Sequence, residues 1–152
     1  MGVKKIITEY LNEAHAMQLA TFSGDRPWCC TLFFAVDDQY NLYWISRPES
    51  RHSREIADNP SVAGAIARPQ TYDDKDRLCG LQFEGTAREV TDTEEIRRLA
   101  HAYAARYNRD TVGEDIANGS IPHHLYQIKP TLFQLFDRAH FGDDTQIWRL
   151  ED

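Results

Sequence analysis

The chain has 152 residues, 41% of them hydrophobic, which fits one compact domain, expected over residues 1–152, that buries its core without disulfides or metal. Its 24 acidic residues outnumber its 17 basic ones, which argues against a nucleic-acid partner because duplex binding requires a basic surface. No stretch approaches the length of a membrane span, so no membrane partner is expected, and three cysteines without a CxxC pair indicate reduced thiols in the cytoplasm.

The first part of the chain changes from a helical to a strand pattern. Residues 3–14 carry apolar side chains at helical spacing, which predicts a short amphipathic helix. Short apolar and aromatic runs at 17–23, 28–36 and 41–46 follow, separated by turn-forming residues. These runs predict consecutive antiparallel strands.

The middle of the chain alternates strands and helices. Strands are predicted at 61–67 and at 78–90, where Gly80 and Gly85 indicate a bulge or a close backbone approach. A helix is predicted over 91–108, with Thr91 or Asp92 as its cap.

The last third has a weaker helical piece at about 111–117 and then two or three strands, the first of which is broken or bulged at Pro130. The order of elements predicts a mainly β (α+β) fold. We expect a small barrel of about six antiparallel strands with two to four peripheral helices.

The segment 46–60, SRPESRHSREIADNP, concentrates positive charge in an acidic chain; its basic residues are Arg47, Arg51, His52 and Arg54. A helix is predicted from Ser50, so the cluster coincides with a helix start, where free N–H groups and the helix dipole favour an anion. One interpretation is a solvated, well-capped helix face. The other is a phosphate site.

That segment and the order of elements, with the run GDRPWCCTLFFAV before it, resemble the pyridoxamine 5′-phosphate oxidase-like FMN-binding split-barrel family. The resemblance implies a Greek-key-like split β-barrel that binds FMN. Arg51 and His52 would hold the FMN phosphate, and Ile45 and Ser46 would line the cofactor from the end of the preceding strand. The cofactor-binding residues implied in this way are Arg51, His52, Ser50, Ile45, Ser46, Thr31, Leu32, Phe33, Gln82 and Trp148, with no metal ligand among them.

The remaining residues of that set would contact the flavin ring. Thr31, Leu32 and Phe33 would offer backbone groups to its pyrimidine edge. Gln82 would replace a family glutamine that falls nearer Gly80, and Trp148 would approach the ring from the closing strands, although tryptophans are more often core or interface residues.

The chain also departs from the oxidases proper. Cys30 and Ala35 stand where the oxidases have an arginine and a lysine, and the R-x-H substrate motif is absent at 134–136. We therefore expect a small single-domain member of the family and not a pyridoxamine phosphate oxidase.

The function implied by the resemblance is that of an FMN-dependent oxidoreductase, similar to flavin reductases, with a small-molecule electron donor or acceptor. It would be a cytoplasmic homodimer with the cofactor at the interface. The alternative is a non-catalytic flavin- or haem-binding module, in which His52, His123 or His140 would ligate iron. Arg51→Ala is predicted to weaken FMN binding and to leave the stability of the apo protein nearly unchanged.

Overall fold

The computed structural model describes residues 2–151, so Met1 and Asp152, at the ends of the predicted domain, lie outside the described residues. The helices are α1 (Val3–Glu13), α2 (Arg51–Asp58), α3 (Thr93–Tyr107), α4 (Val112–Ala117) and α5 (Arg138–Phe141), with a 3₁₀ turn at Lys75–Arg77. The strands are β1 (Ala16–Ser23), β2 (Arg26–Phe33), β3 (Ala35–Val36), β4 (Leu42–Ser46), β5 (Ser61–Ile66), β6 (Cys79–Val90), β7 (His124–Asp137) and β8 (Gln146–Arg149).

All strands belong to one antiparallel sheet in the order β2-β1-β5-β6-β7-β4-β3, and β8 pairs with the second half of β7. Strands β2 and β3 stand at the two ends of this order, yet Phe34 alone connects them. Because one residue spans only about 3.8 Å, the sheet must curl until its two ends approach each other. The predicted mainly β, antiparallel split barrel is confirmed.

The strand boundaries differ from the prediction in one place. The run at 28–36 is divided at Phe34, whose side chain is buried, so the sheet has eight strands instead of about six. At Pro130 the bulged alternative is confirmed: β7 is not broken, and the β6–β7 ladder shifts register where Gly85 pairs with Pro130 and Glu84 with Leu132. A Cβ at Gly85 would lie 2.3 Å from the Lys129 carbonyl oxygen, so the close backbone approach predicted there is confirmed.

Helix α5 was not expected from the sequence. It begins directly after β7, where the Asp137 carboxylate accepts a hydrogen bond from the backbone N–H of His140. The remaining helices agree with the predicted segments, and Asp92 is the residue that caps α3.

The buried side chains form two clusters on opposite faces of β4. The barrel interior holds Trp44 and Phe133 together with one face of α1, and Ile56 brings α2 into the same cluster. The second cluster packs α3 and α4 against β3 and β4. None of the helices within residues 2–151 has the length and hydropathy to cross a membrane.

Candidate functional site

The first turn of α2 has backbone N–H groups without partners. Ser50 occupies the cap position, as predicted, but its hydroxyl donates to the Arg47 carbonyl oxygen (2.8 Å) and contacts the Ser53 hydroxyl, also at 2.8 Å. Within the described chain, no acceptor bonds the backbone N–H of Arg51, His52 or Ser53. Three donors at the positive end of the helix therefore remain available to an anion.

His52 lies between two serine hydroxyls. Its Nε2 is 2.7 Å from Oγ of Ser46 and 3.2 Å from Oγ of Ser50. Burial lowers the pKa of His52, and the nearby carboxylate of Glu55 opposes this effect only in part. The imidazole is therefore neutral near pH 7 and serves as a hydrogen-bonding group before any anion binds.

Two groups contact the guanidinium of Arg51, and one edge of the guanidinium has no partner in the described residues. Its Nε donates to Oε2 of Glu55 at 3.0 Å, and its guanidinium carbon lies 4.2 Å from the centre of a Trp28 ring. Neither Nη1 nor Nη2 has an acceptor among the described residues, and the side chain is 42% exposed. The free edge can thus grip two oxygens of one phosphate.

A cavity of about 470 Å³ lies between α2 and the β1–β2 turn; its lining residues are Ser23, Asp25, Arg26, Arg51, Arg54 and Glu55. Arg54 has no ion-pair partner among the described residues. Positive side chains therefore face open space beside the first turn of α2.

Strand β2 supplies a backbone edge, because it is the terminal strand of the sheet and, within residues 2–151, pairs only with β1. Thr31 and Phe33 have exposed side chains, and Thr31 donates to Oε1 of Gln18. Leu32 is part of the barrel core, so it can contact a ligand only through its backbone, as predicted.

Ile45 is separated from the serine–histidine group. Its side chain packs against the α3–α4 cluster, on the face of β4 opposite to that of Trp44 and Ser46. Only its backbone lies beside Ser46.

Gln82 lies on β6 and is separated from β2 by two other strands. It belongs to a row of consecutive cross-strand partners, Gln82, Ala65, Gln18 and Thr31, so three strand spacings, about 14 Å, separate it from β2. It lines a cavity of about 370 Å³ with Gln18 and Phe136. No contact connects it with Arg51 or His52 in the described residues.

Trp148 is also distant from α2. Its ring stacks on Phe133 at 5.9 Å and meets Tyr40 edge-on, while the amino group of Lys4 lies 5.5 Å from its centre. Its side chain lies on the core-facing side of β8, and no contact connects it with α2 in the described residues.

Cys30 and Ala35, the two residues that differ from the oxidases, lie in surroundings that keep charge away from both positions. Burial, followed by Cys29 and Glu55, raises the pKa of Cys30 to about 11, so its thiol is neutral. Ala35 is buried against α3, so this position is closed to a ligand. Neither residue contributes the positive charge found in the oxidases.

Trp28 and Glu55 are functional candidates that sequence reasoning missed. The i, i+4 spacing of Arg51 and Glu55 in a helix was a readable signal for the ion pair. The Trp28 contact had no local signal, since it depends on how α2 packs against β2.

Known proteins are similar to this chain in sequence and in fold. A family model described as pyridoxamine 5′-phosphate oxidase matches residues 3–137. A UPF0306 protein of Haemophilus ducreyi is 28% identical over 104 residues, covering 66% of this chain and 70% of that protein.

Two solved structures share the curled sheet. The conserved hypothetical protein Rv2991 of Mycobacterium tuberculosis has a TM-score of 0.75 at 20% identity, covering 93% of this chain and 89% of that one. HutZ, the haem storage protein from Vibrio cholerae, has a TM-score of 0.68 at 22% identity, covering 90% and 95%. Since the family model covers most of the sequence, the chain belongs to the pyridoxamine 5′-phosphate oxidase-like split-barrel family.

Proposed function

We propose that the protein binds FMN at the first turn of α2 and works as an FMN-dependent oxidoreductase. The observation that carries this proposal is the set of unpaired donors at one helix start: the backbone N–H groups of Arg51, His52 and Ser53, and the Nη edge of Arg51. Such donors match the three terminal oxygens of a phosphate ester.

The residues present fit a phosphate group. Ser46 and Ser50 hold the His52 ring at the helix start, so a bound dianion would meet an imidazole already in place. The anion would also raise the pKa of His52, because an opposite charge favours the protonated form. With Cys30 and Ala35 both uncharged, fewer positive charges support the phosphate than in the oxidases, so we expect reversible FMN binding.

The flavin ring would lie along the free edge of β2, where backbone groups of residues 31–33 meet its pyrimidine edge. When bound, FMN supplies the hydride and electron chemistry. The chain would bind and orient it and leave one ring face open to a small-molecule electron donor or acceptor.

We further propose that the protein is a homodimer in the cytoplasm. The outer face of the sheet carries exposed apolar side chains on four strands, namely Phe22, Phe33, Phe136 and Ile147, next to the small residues Ala20, Ala63 and Ala65. A second copy would cover this face and bring its own Gln82 towards the flavin, whereas Trp148 lies on the opposite face of β8, packed on Phe133. Size-exclusion chromatography with light scattering tests this, and Phe136→Asp is expected to yield monomers.

The test of flavin binding compares FMN with riboflavin, which lacks the phosphate. By flavin fluorescence titration we expect FMN to bind at least tenfold more tightly, since each charge-assisted hydrogen bond contributes about 1.5–3 kcal/mol. Anaerobic reduction of the bound flavin by a panel of nicotinamide and quinol donors then tests the oxidoreductase assignment. Equal affinities would contradict the phosphate site, and no affinity for either flavin would contradict the proposed function.

A second candidate function is haem binding, favoured by the similarity to HutZ and by a pair of residues at the junction of β7 and α5. Nδ1 of His140 lies 3.0 Å from Oδ2 of Asp137, outside hydrogen-bond geometry, and Asp137 is only 1% exposed. A carboxylate beside one ring nitrogen is typical of metal-ligating histidines. Haemin titration of wild type and His140→Ala tests this, and identical haem spectra for both would contradict a role of His140.

A further inference from the structure

Arg51 stands in an electrostatically unfavourable place for helix stability. It is the first residue of α2, where the helix dipole is positive, and no acidic residue lies in the first turn. Its ion-pair partner, Glu55, lies one turn further on. The i, i+4 pair stabilises the helix only slightly and does not offset the dipole.

Two groups restrict the Arg51 side chain, and a third holds one of them. Glu55, a residue that is 8% exposed, accepts the Nε–H bond through its carboxylate, and Trp28 covers one plane of the guanidinium. Thr21, buried on β1, donates to the same carboxylate oxygen at 3.5 Å. Of the guanidinium's hydrogen-bonding edges, only the one with Nη1 and Nη2 remains without an acceptor in the described chain.

We propose that Glu55 is a positioning residue: its buried carboxylate, with Trp28, fixes the Arg51 guanidinium so that its Nη edge faces the phosphate. This inference rests on the proposed function. A free arginine would lose rotamer entropy on binding, whereas a side chain that is already held loses less. Glu55 would thus raise phosphate affinity although its own charge repels an anion.

Glu55 would affect phosphate binding in two opposite ways: its contact with Arg51 favours binding, and its negative charge disfavours it. Substitutions at Glu55 can separate the two effects. Glu55→Gln keeps an oxygen that can accept the Nε–H bond and removes the negative charge. Glu55→Ala removes both. If positioning matters, the two variants must therefore differ in their effect on the phosphate group.

The measured quantity is the ratio of the riboflavin and FMN dissociation constants, which isolates the phosphate contribution. We expect Glu55→Ala to lower this ratio roughly tenfold and Glu55→Gln to keep or raise it. Riboflavin affinity should stay unchanged in both. Glu114→Ala is the matched control: it breaks the ion pair between Glu114 on α4 and Arg97 on α3 and should leave the ratio unchanged.

Each outcome is decisive. An unchanged ratio in Glu55→Ala, with only its unfolding free energy lowered, would make Glu55 merely structural and overturn the proposal. Equal losses in Glu55→Ala and Glu55→Gln would overturn it as well, because acceptor geometry would then not matter. If wild type itself shows no preference for FMN, the proposed function fails instead.

Trp28→Leu provides the test if Glu55→Ala does not fold. Trp28 lies on the edge strand and is partly exposed, so this substitution leaves the core intact. A severalfold lower ratio in Trp28→Leu supports the proposal, and an unchanged ratio overturns it.

Discussion

Helices α2 and α3 begin in opposite ways. At α3, the Asp92 carboxylate accepts a hydrogen bond from the Glu95 N–H at 2.9 Å, and Glu94 and Glu95 place negative charge in the first turn. At α2, the Ser50 hydroxyl donates to the Arg47 carbonyl oxygen instead of accepting from an N–H of the helix, and the first turn carries Arg51 and His52 without an acidic residue.

The start of α3 stabilises its helix, whereas the start of α2 is open to a ligand. The Asp92 cap satisfies one backbone donor of α3, and the first-turn acids offset its dipole. In α2 the corresponding donor, the N–H of Ser53, has no acceptor in the described chain, and the charge of Arg51 adds to the dipole instead of opposing it. Local choices that lower stability are expected at functional sites.

Among the substitutions that test the difference between the two helix starts, Arg51→Ala should have the largest effect, which is on FMN affinity. The loss of the Nη edge should weaken FMN binding by about 1.5–3 kcal/mol, roughly ten- to a hundredfold, while riboflavin affinity stays unchanged. Isothermal calorimetry measures both. Arg97→Ala, which removes an exposed arginine from α3, is the control and should not affect FMN. Unchanged FMN affinity in Arg51→Ala would contradict the phosphate assignment.

The structure also corrects the expectation that this substitution leaves the apo protein unaffected. Arg51 is the ion-pair partner of the buried Glu55 carboxylate, so its removal leaves a buried charge with Thr21 alone. Apo stability should therefore fall, since an unpaired buried charge is unfavourable. Combining Arg51→Ala with Glu55→Gln should restore most of that stability and none of the FMN affinity.

Replacing the two cap residues, Asp92 of α3 and Ser50 of α2, by alanine should have smaller effects, which differ between the two helices. Asp92→Ala should lower the unfolding free energy by about 1 kcal/mol, or about 2–4 °C in Tm, with no effect on flavin binding. Ser50→Ala should lower Tm less, because no capping bond is lost and only the hydroxyl contacts with Arg47, His52 and Ser53 are removed, and it should weaken FMN binding severalfold. Thermal unfolding with and without FMN measures both, and equal loss of apo stability in the two variants would contradict the contrast.

The smallest expected effect is a pH dependence at α2. Burial lowers the pKa of His52 below its ordinary value, so the unfolded chain takes up a proton more readily than the folded one. The stability contributed by neutral His52 is therefore present above about pH 6.5 and is lost as the pH falls below it. Urea unfolding from about pH 7.5 to about pH 5.5 should show a smaller loss in His52→Gln than in wild type. Parallel losses in the two proteins would contradict this assignment.

The sequence by itself determined the local elements, because periodicity, turn residues and caps act over a few positions. The helices at 3–14, 50–58 and 91–108 and the anion-favouring start of α2 were all readable in this way. The division of 28–36 at Phe34 was not, since it follows from β2 and β3 pairing with different, distant strands.

Only the tertiary structure decided which side chains meet at the site. It placed Trp28 over Arg51, buried Glu55 beneath it, turned the Ile45 side chain away and left Gln82 about 14 Å from β2. These outcomes depend on how a helix packs against strands that are distant in sequence and on which face of a strand the curled sheet buries. Local patterns carry no information about such contacts, because a side chain's partners across the core are set by packing and not by spacing along the chain.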